Sequence, residues 1–104
     1  MKTPETLKAS VLFALAHPNR IRIVEYLQKK VRCNCELAPE LGLEQSNLSR
    51  HLKILVETGI LMSWKDGLRV NVKVADDRIF KILDLAAAIV KQEISRRTEA
   101  LEKA

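Results

Sequence analysis

Apolar residues at helical spacing predict four helices in the first half of the chain. The first spans residues 4–17, with Thr3 as N-cap and Pro4 at its first position, where the missing N–H costs nothing. The His17-Pro18 step ends it, because the residue before a proline avoids helical dihedrals, and Pro18 opens the second helix. The apolar positions of these two helices are Leu7, Val11, Leu15, Ile21, Val24 and Leu27.

Two short helices separated by a three-residue turn come next. The first has Asn34 as a good N-cap, and Gly42 suits the C′ position at its end. Pro39 lies inside it and removes one backbone hydrogen bond, so we expect a kink or a shorter helix. The second covers residues 45–57, and the pair, residues 34–57, has the sequence form of a helix-turn-helix. Their apolar stripes consist of Leu37, Leu41, Leu48, Leu52, Leu55 and Val56.

The hydrophobic period then changes from helix to strand. Residues 60–65 form one predicted strand, and Asp66-Gly67 is a strong two-residue hairpin turn whose central positions need positive φ. A hairpin over residues 60–74, directly after a helix-turn-helix, is a wing. The sequence therefore predicts a mainly α fold with a small β-hairpin, a winged helix-turn-helix. In the second strand apolar and polar residues alternate: Val70, Val72 and Val74 with Arg69, Asn71 and Lys73.

A long apolar helix follows the wing. Asp76 or Asp77 caps it, and it extends over residues 77–102. At ~1.5 Å per residue it reaches about 40 Å, which is more than a domain of this size can cover by itself. The excess apolar length therefore predicts a dimer. Its stripe comprises Ile79, Leu83, Ala86, Val90 and Ile94.

Composition and charge favour one small domain, residues 1–104, that binds nucleic acid. The formal net charge is +5, and the hydrophobic share of 47% excludes a disordered chain. Five basic residues against one acidic lie in residues 19–32, and five against three lie in residues 44–74. No apolar run approaches the roughly 20 residues of a membrane span, so no membrane partner is expected. Two cysteines and the absence of a secretory pattern at the N-terminus predict a cytoplasmic location.

The polar face of the second helix of the helix-turn-helix carries groups suited to DNA. In this motif the N-terminal part of the second helix reaches the bases, while cations also meet phosphates. The alternative, for this helix alone, is an ordinary solvated face. His17, His51 and Trp64 are interpreted first as structural side chains. We predict major-groove contacts from Gln45, Ser46, Asn47, Ser49 and Arg50, a phosphate contact from Lys53, and minor-groove or backbone contacts from the wing residues Lys65, Arg69 and Lys73.

Three segments carry a family resemblance: ALAHPNRIRI at residues 14–23, ELGLEQSNLSRHLKIL at residues 40–55 and GIL at residues 59–61. They resemble the ArsR/SmtB family of bacterial and archaeal repressors, and the likeness extends from residue 4 to the end. One departure is Glu44, where the family often has Ser or Thr as the N-cap. The resemblance implies a homodimer held together by the first and last helices. It also implies repression at an inverted-repeat operator, with DNA released when a metal or another inducer binds.

Cys33-Asn34-Cys35 lies where the arsenic-responsive members of the family carry a Cys-x-Cys motif. Side chains two apart in a regular helix point about 200° from each other and cannot hold one ion. If Asn34 is the N-cap, Cys33 lies outside the helix and the thiols can converge. The helix N-terminus, Lys30 and Arg32 favour the thiolate form. Soft thiolates select thiophilic ions such as As(III), Sb(III), Cd(II), Zn(II) or Cu(I).

The family motif usually has a third cysteine, and here that position is Ala38. The third ligand would be an external thiol, water, or a histidine or carboxylate such as Glu36. Inert small hydrophobic cysteines and a Cys33–Cys35 redox switch are the alternatives. Zinc-responsive members use Asp and His on the last helix, which here contains no histidine, so we expect that site to be absent.

The predicted function is a sequence-specific DNA-binding repressor that binds a double-stranded operator as a homodimer. A thiophilic metal(loid) such as As(III) or Sb(III), bound at Cys33 and Cys35, would release it, and no cofactor is required. The alternatives are a winged-helix regulator controlled by thiol redox or a protein partner, and a winged helix used only for protein contact. An enzyme is not expected, because no nucleophile is paired with a base and no Gly-rich phosphate loop occurs.

Overall fold

Five helices and a three-stranded sheet make up the computed structural model, which describes residues 2–103. The predicted mainly α architecture is confirmed, with a helix-turn-helix followed by a β-hairpin wing. In chain order the elements are α1 (Pro4–Leu15), α2 (Pro18–Tyr26), β1 (Arg32–Cys33), α3 (Asn34–Leu41), α4 (Gln45–Glu57), β2 (Leu61–Asp66), β3 (Arg69–Val74) and α5 (Arg78–Lys103).

The boundary between α1 and α2 lies slightly earlier than predicted. Thr3 caps α1 in a reciprocal arrangement, in which Thr6 N donates to Thr3 Oγ1 at 3.2 Å and Thr3 N donates to Thr6 Oγ1 at 2.9 Å. The helix ends at Leu15 instead of residue 17, because His17 is extended and serves as the N-cap of α2. Its Nδ1 accepts a hydrogen bond from the Asn19 amide at 3.0 Å.

The N-cap of α3 is Cys33, which corrects the expectation that Asn34 takes this position. Cys33 ends strand β1 with an extended backbone, the conformation an N-cap requires, and Asn34 is the first helical residue. The helix continues through Pro39 and ends at Gly42, whose φ of +67° is left-handed. The Leu43 amide then closes the end on the Ala38 carbonyl at 2.9 Å. Glu44, the N-cap of α4, makes no side-chain capping hydrogen bond, as the departure from Ser or Thr indicated.

The sheet has one strand that the sequence pattern did not reveal. Its order is β1-β3-β2 with both pairs antiparallel, and β1 consists of only two residues. A segment of two residues is too short to show an alternation of apolar and polar side chains. Only its pairing with β3 therefore defines it as a strand. The register places Arg32 opposite Val72 and Cys33 opposite Asn71, which brings the first cysteine beside the wing.

The wing turn is shifted by one residue from its predicted position. Asp66 pairs with Arg69, so the two loop residues are Gly67 and Leu68. Only Gly67 has positive φ, at +63°, which is the type II′ requirement for glycine at the first central position. Leu68 is fully exposed at the tip.

The core lies between α1, α2, α3, α4 and the sheet, and α5 projects from it. The most deeply buried large side chains are Ile23, Leu27, Leu37, Leu48, Leu55, Ile60 and Leu61. Of the described α5 residues only Ile79 is buried, although the helix has 26 residues. The radius of gyration is 16.6 Å, whereas a compact chain of this length has about 13 Å. The projecting helix accounts for the excess.

Candidate nucleic-acid interface and cysteine cluster

Helix α4 presents the predicted polar face to solvent. Its opposite face is buried in the core through Leu48, Leu52 and Leu55. These three residues, together with the buried His51, fix the rotation of the helix, so the side chains on its far side point outward. Asn47 is half-buried, and the exposed residues are Gln45, Ser46, Ser49, Arg50 and Lys53.

Asn47 and Arg50 are joined by a hydrogen bond on this face. Arg50 Nη2 donates to Asn47 Oδ1 at 2.6 Å, one helical turn apart. The bond restrains the long, flexible side chain of Arg50. The other guanidinium N–H groups of Arg50 take no part in this bond. The arrangement can therefore present donors to an acceptor such as a guanine edge or a phosphate.

A concavity of about 190 Å³ separates α4 from the sheet. Ser49 and Lys53 line it on the helix side, and Ser63 lines it from β2. Asn34, expected as an N-cap, also lines this concavity. Sequence patterns did not single out Ser63 or Asn34 for this surface, since nothing local shows that the wing folds against α4.

A second concavity, of about 310 Å³, lies between α4 and the start of α2. Asn19 and Arg20 line it opposite Asn47 and Arg50. The basic cluster in residues 19–32 was the only sequence signal for this side of the surface.

The two histidines lie at the floor of the same region and are structural, as expected. The ring centroids of His17 and His51 are 4.5 Å apart, and His51 is buried. Burial holds the pKa of His51 below its usual 6.5, and electrostatic interactions with the neighbouring His17, Arg20 and Arg50 lower it further.

Much of the basic cluster in residues 19–32 is engaged within the fold. Arg22 Nη2 donates to the Leu41 carbonyl at 2.7 Å at the end of α3. Arg32 pairs with Glu40 at 3.6 Å. Lys29 and Lys30 of this cluster stay exposed.

The wing residues Lys65 and Arg69 are both exposed, but Arg69 has an internal partner. Its Nη2 donates to Oε1 of Glu36 on α3, forming an ion pair. Trp64, on β2, is partly exposed and lies 5.9 Å from the Lys73 ammonium, as measured to the ring centroid. The wing is thus tied to α3 next to the cysteines.

Cys33 and Cys35 lie together at the start of α3. Their Cα atoms are 5.2 Å apart, and the structure joins the sulfurs as a disulfide. Cys33 is buried, Cys35 is exposed, and Cys33 Sγ accepts a hydrogen bond from the Cys35 amide at 3.3 Å. With Glu36 they form a group whose possible ligand atoms all lie within 4.8 Å of one another. Among residues 2–103 it is the one such group of three or more His, Cys, Asp or Glu side chains.

Within the described residues, none of the helices combines the length and apolarity that a membrane crossing requires.

The fold and the exposed α4 face define a winged helix-turn-helix protein of the nucleic-acid-binding type. The sequence profile described as "Bacterial regulatory protein, arsR family" matches residues 17–63. The uncharacterized HTH-type transcriptional regulator Rv0081 of Mycobacterium tuberculosis is 37% identical over 97 residues, covering 92% of this chain and 85% of that protein. The probable mercury resistance operon repressor of Streptomyces lividans is 29% identical over 76 residues, covering 73% and 61%.

Solved structures give the same assignment. The crystal structure of M. tuberculosis Rv0081 has a TM-score of 0.80 and 34% identity, and the match covers 94% of this chain and 99% of that one. NolR from Sinorhizobium fredii has a TM-score of 0.73 and 30% identity, with coverages of 86% and 94%. The chain belongs to the ArsR family of transcriptional regulators, which is a family of regulators and not of enzymes.

Proposed function

We propose that this chain is a transcriptional repressor that binds a double-stranded operator through α4 and the wing. The exposed polar and cationic face of α4 carries this proposal. Gln45, Ser46, Asn47, Ser49 and Arg50 would face the major groove, while Lys53, Lys65 and Arg69 would meet phosphates or the neighbouring minor groove. A regulator of this kind would act in the cytoplasm.

A homodimer through α1 and α5 follows from their unpartnered apolar side chains. Leu12 and Phe13 on α1 are exposed, as are Leu85, Ile89 and Ile94 on α5. Exposed apolar side chains in this number on a small chain mark an interface. Two copies would place two α4 helices on one duplex, which matches an inverted-repeat operator.

Selection from a random duplex library would identify the operator and test DNA recognition. Binding of the selected duplex should weaken steeply with salt, because phosphate contacts release counterions. It should exceed binding to a scrambled duplex by at least about 10³-fold. Equal, salt-insensitive binding to both duplexes would contradict the proposal.

A thiophilic metal(loid), such as As(III), is the proposed inducer at Cys33 and Cys35. Once the disulfide is reduced the donor set fits, because the two sulfurs and a Glu36 oxygen already lie within 4.8 Å of one another. An ion bound there would supply a soft cross-link between the N-cap and second residue of α3, the helix that supports α4. A coupling of ~1–3 kcal/mol is enough to release DNA. The Streptomyces lividans relative, named as a mercury resistance operon repressor, supports metal control.

Operator release by a panel of metals, with and without a small thiol, tests this inducer. The reduced protein should release DNA with at least one of As(III), Cd(II) and Zn(II). The Cys33→Ser, Cys35→Ser double variant should bind the operator normally and ignore the same ion. Identical responses of wild type and double variant would place the sensor elsewhere.

Thiol redox control is the second candidate, and the Cys33–Cys35 disulfide favours it. Oxidation would join the two sulfurs with the loss of two protons and two electrons to an oxidant such as a peroxide. In that case operator affinity would differ between the oxidised and reduced proteins without metal. The double variant would lose this difference.

A further inference from the structure

Glu36 links the cysteine cluster to the wing. It is the third helical residue of α3, and its Oε1 accepts a hydrogen bond from the Cys33 amide at 3.4 Å. The same oxygen accepts from Arg69 Nη2, so one carboxylate oxygen serves both partners. Arg69 is the first residue of β3, directly after the wing turn.

The same carboxylate is also the nearest oxygen donor for a cation held by the two sulfurs. Two thiolates and a carboxylate form a mixed donor set of the kind that binds Zn(II), and Cd(II) is its thiophilic analogue. A cation at this position would lie beside the Arg69 guanidinium as long as Arg69 stays on Glu36. Two positive groups would then compete for one carboxylate.

We propose that Glu36 is a shared carboxylate, which holds Arg69 in the ion-free protein and becomes the third ligand of a divalent cation at Cys33 and Cys35. Ion binding thereby releases Arg69 from α3. This inference rests on the proposed metal control. It adds the third ligand of the ion and the contact through which the ion affects the wing. The route is short because β1 already pairs Cys33 with Asn71 of the same wing strand.

The exchange works in both directions. Binding of the ion weakens the hold of α3 on Arg69, so the wing loses the contact that positions its arginine. By thermodynamic reciprocity, Arg69 must weaken binding of the ion by the same factor. The ion pair is partly exposed, with side-chain exposures of 57% for Arg69 and 35% for Glu36, so the factor is modest.

Cd(II) titration of the full, reduced chain without DNA measures this coupling. Arg69→Gln should raise Cd(II) affinity about two- to fivefold, because the competing partner is gone. Lys65→Gln is the matched control: it removes one positive charge from the same wing but leaves Glu36 paired. Its Cd(II) affinity should stay close to wild type.

Two further variants test the carboxylate. Glu36→Gln should weaken Cd(II) binding about tenfold or more, since one ligand is lost. Glu40→Gln removes the same charge one turn along α3, where the partner is Arg32, and should have little effect. The side-chain Nε–H signal of Arg69 in NMR spectra gives a readout independent of affinity. It should shift on Cd(II) addition toward its position in ion-free Glu36→Gln.

The outcomes separate this inference from the metal control on which it rests. Cd(II) binding that depends on the cysteines but is equal in wild type and Glu36→Gln would overturn the shared carboxylate alone. Equal effects of Arg69→Gln and Lys65→Gln would do the same, because general electrostatics would then explain both. Failure of the reduced wild type to bind Cd(II) or Zn(II) would overturn the shared carboxylate. Failure to respond to As(III) as well would overturn the metal control too.

Discussion

Arg20 donates a hydrogen bond from Nε to Nδ1 of His51 across 3.1 Å, joining α2 to α4. Arg20 Nη1 also reaches the Phe13 and Ala14 carbonyls at 3.4 Å, near the end of α1. One guanidinium thus connects three helices behind the proposed DNA-binding face. The contact needs a neutral His51, because a protonated Nδ1 cannot accept a hydrogen bond.

Stability should therefore fall as the pH drops below about 6.5, the ordinary histidine pKa. The pKa of His51 is lowered in the folded protein, so the unfolded chain takes up the proton first. The stabilisation from neutral His51 is complete above the pKa of this residue in the unfolded chain. It is lost as the pH falls toward the lower pKa of His51 in the folded protein. Urea unfolding at pH 7.5 and 5.5 should show a lower midpoint at pH 5.5, and His51→Gln should reduce the difference. His17→Gln is the control variant, and it should retain most of the difference between the two urea midpoints.

Arg50→Ala should weaken specific operator binding by about 1–3 kcal/mol, because Arg50 lies on the exposed face of α4 that we propose enters the major groove. Lys53→Ala should instead weaken specific and non-specific duplexes alike and reduce the salt slope by about one. Arg96→Ala, on the exposed surface of α5, is the control and should leave affinity unchanged. Fluorescence anisotropy at several salt concentrations distinguishes the three. An Arg50→Ala protein with wild-type affinity would contradict the assigned face.

Gly42→Ala should destabilise the fold by about 1–2 kcal/mol. The φ of +67° at this residue turns the chain from α3 into α4, and an added Cβ would meet nothing within 4 Å. The cost is therefore the left-handed backbone alone. Gly42→Asn should cost less, since asparagine tolerates this conformation. Equal urea midpoints for wild type and Gly42→Ala would contradict this reasoning.

Ile89→Asp should convert a dimer into a folded monomer. Ile89 is 70% exposed in the single chain and is one of the exposed apolar residues of α5. Sedimentation equilibrium gives the mass, and circular dichroism checks that the helices remain. Leu68→Asp, at the wing tip, is the control and should remain dimeric. A wild-type chain that sediments as a monomer would contradict the proposed interface.

Local signals predicted most of the fold because they act over a few residues. Thr3 with Pro4, His17 with Pro18, and Gly42 each set a helix boundary through their own backbone preferences. The exposed face of α4 was likewise predictable, since the spacing of its leucines alone determines which side is buried. Its contacts with DNA remain predictions.

Errors arose where neighbours distant in sequence decide the conformation. Cys33 caps α3 instead of Asn34, because pairing with β3 draws Cys33 into a strand that ends at the helix. The wing turn shifted by one residue because the register of β2 against β3 sets its position. Neither pairing can be recognised from a few consecutive residues of the sequence.

By itself, the sequence determined the order of the elements and the residue types on α4, because periodicity and capping are local properties. Only the tertiary structure decided how the charges are used. It engages Arg22 and Arg32 within the fold, and it places Glu36 against Arg69, 33 residues away. Such pairs depend on how the helices and sheet pack, and that packing is a property of the whole chain.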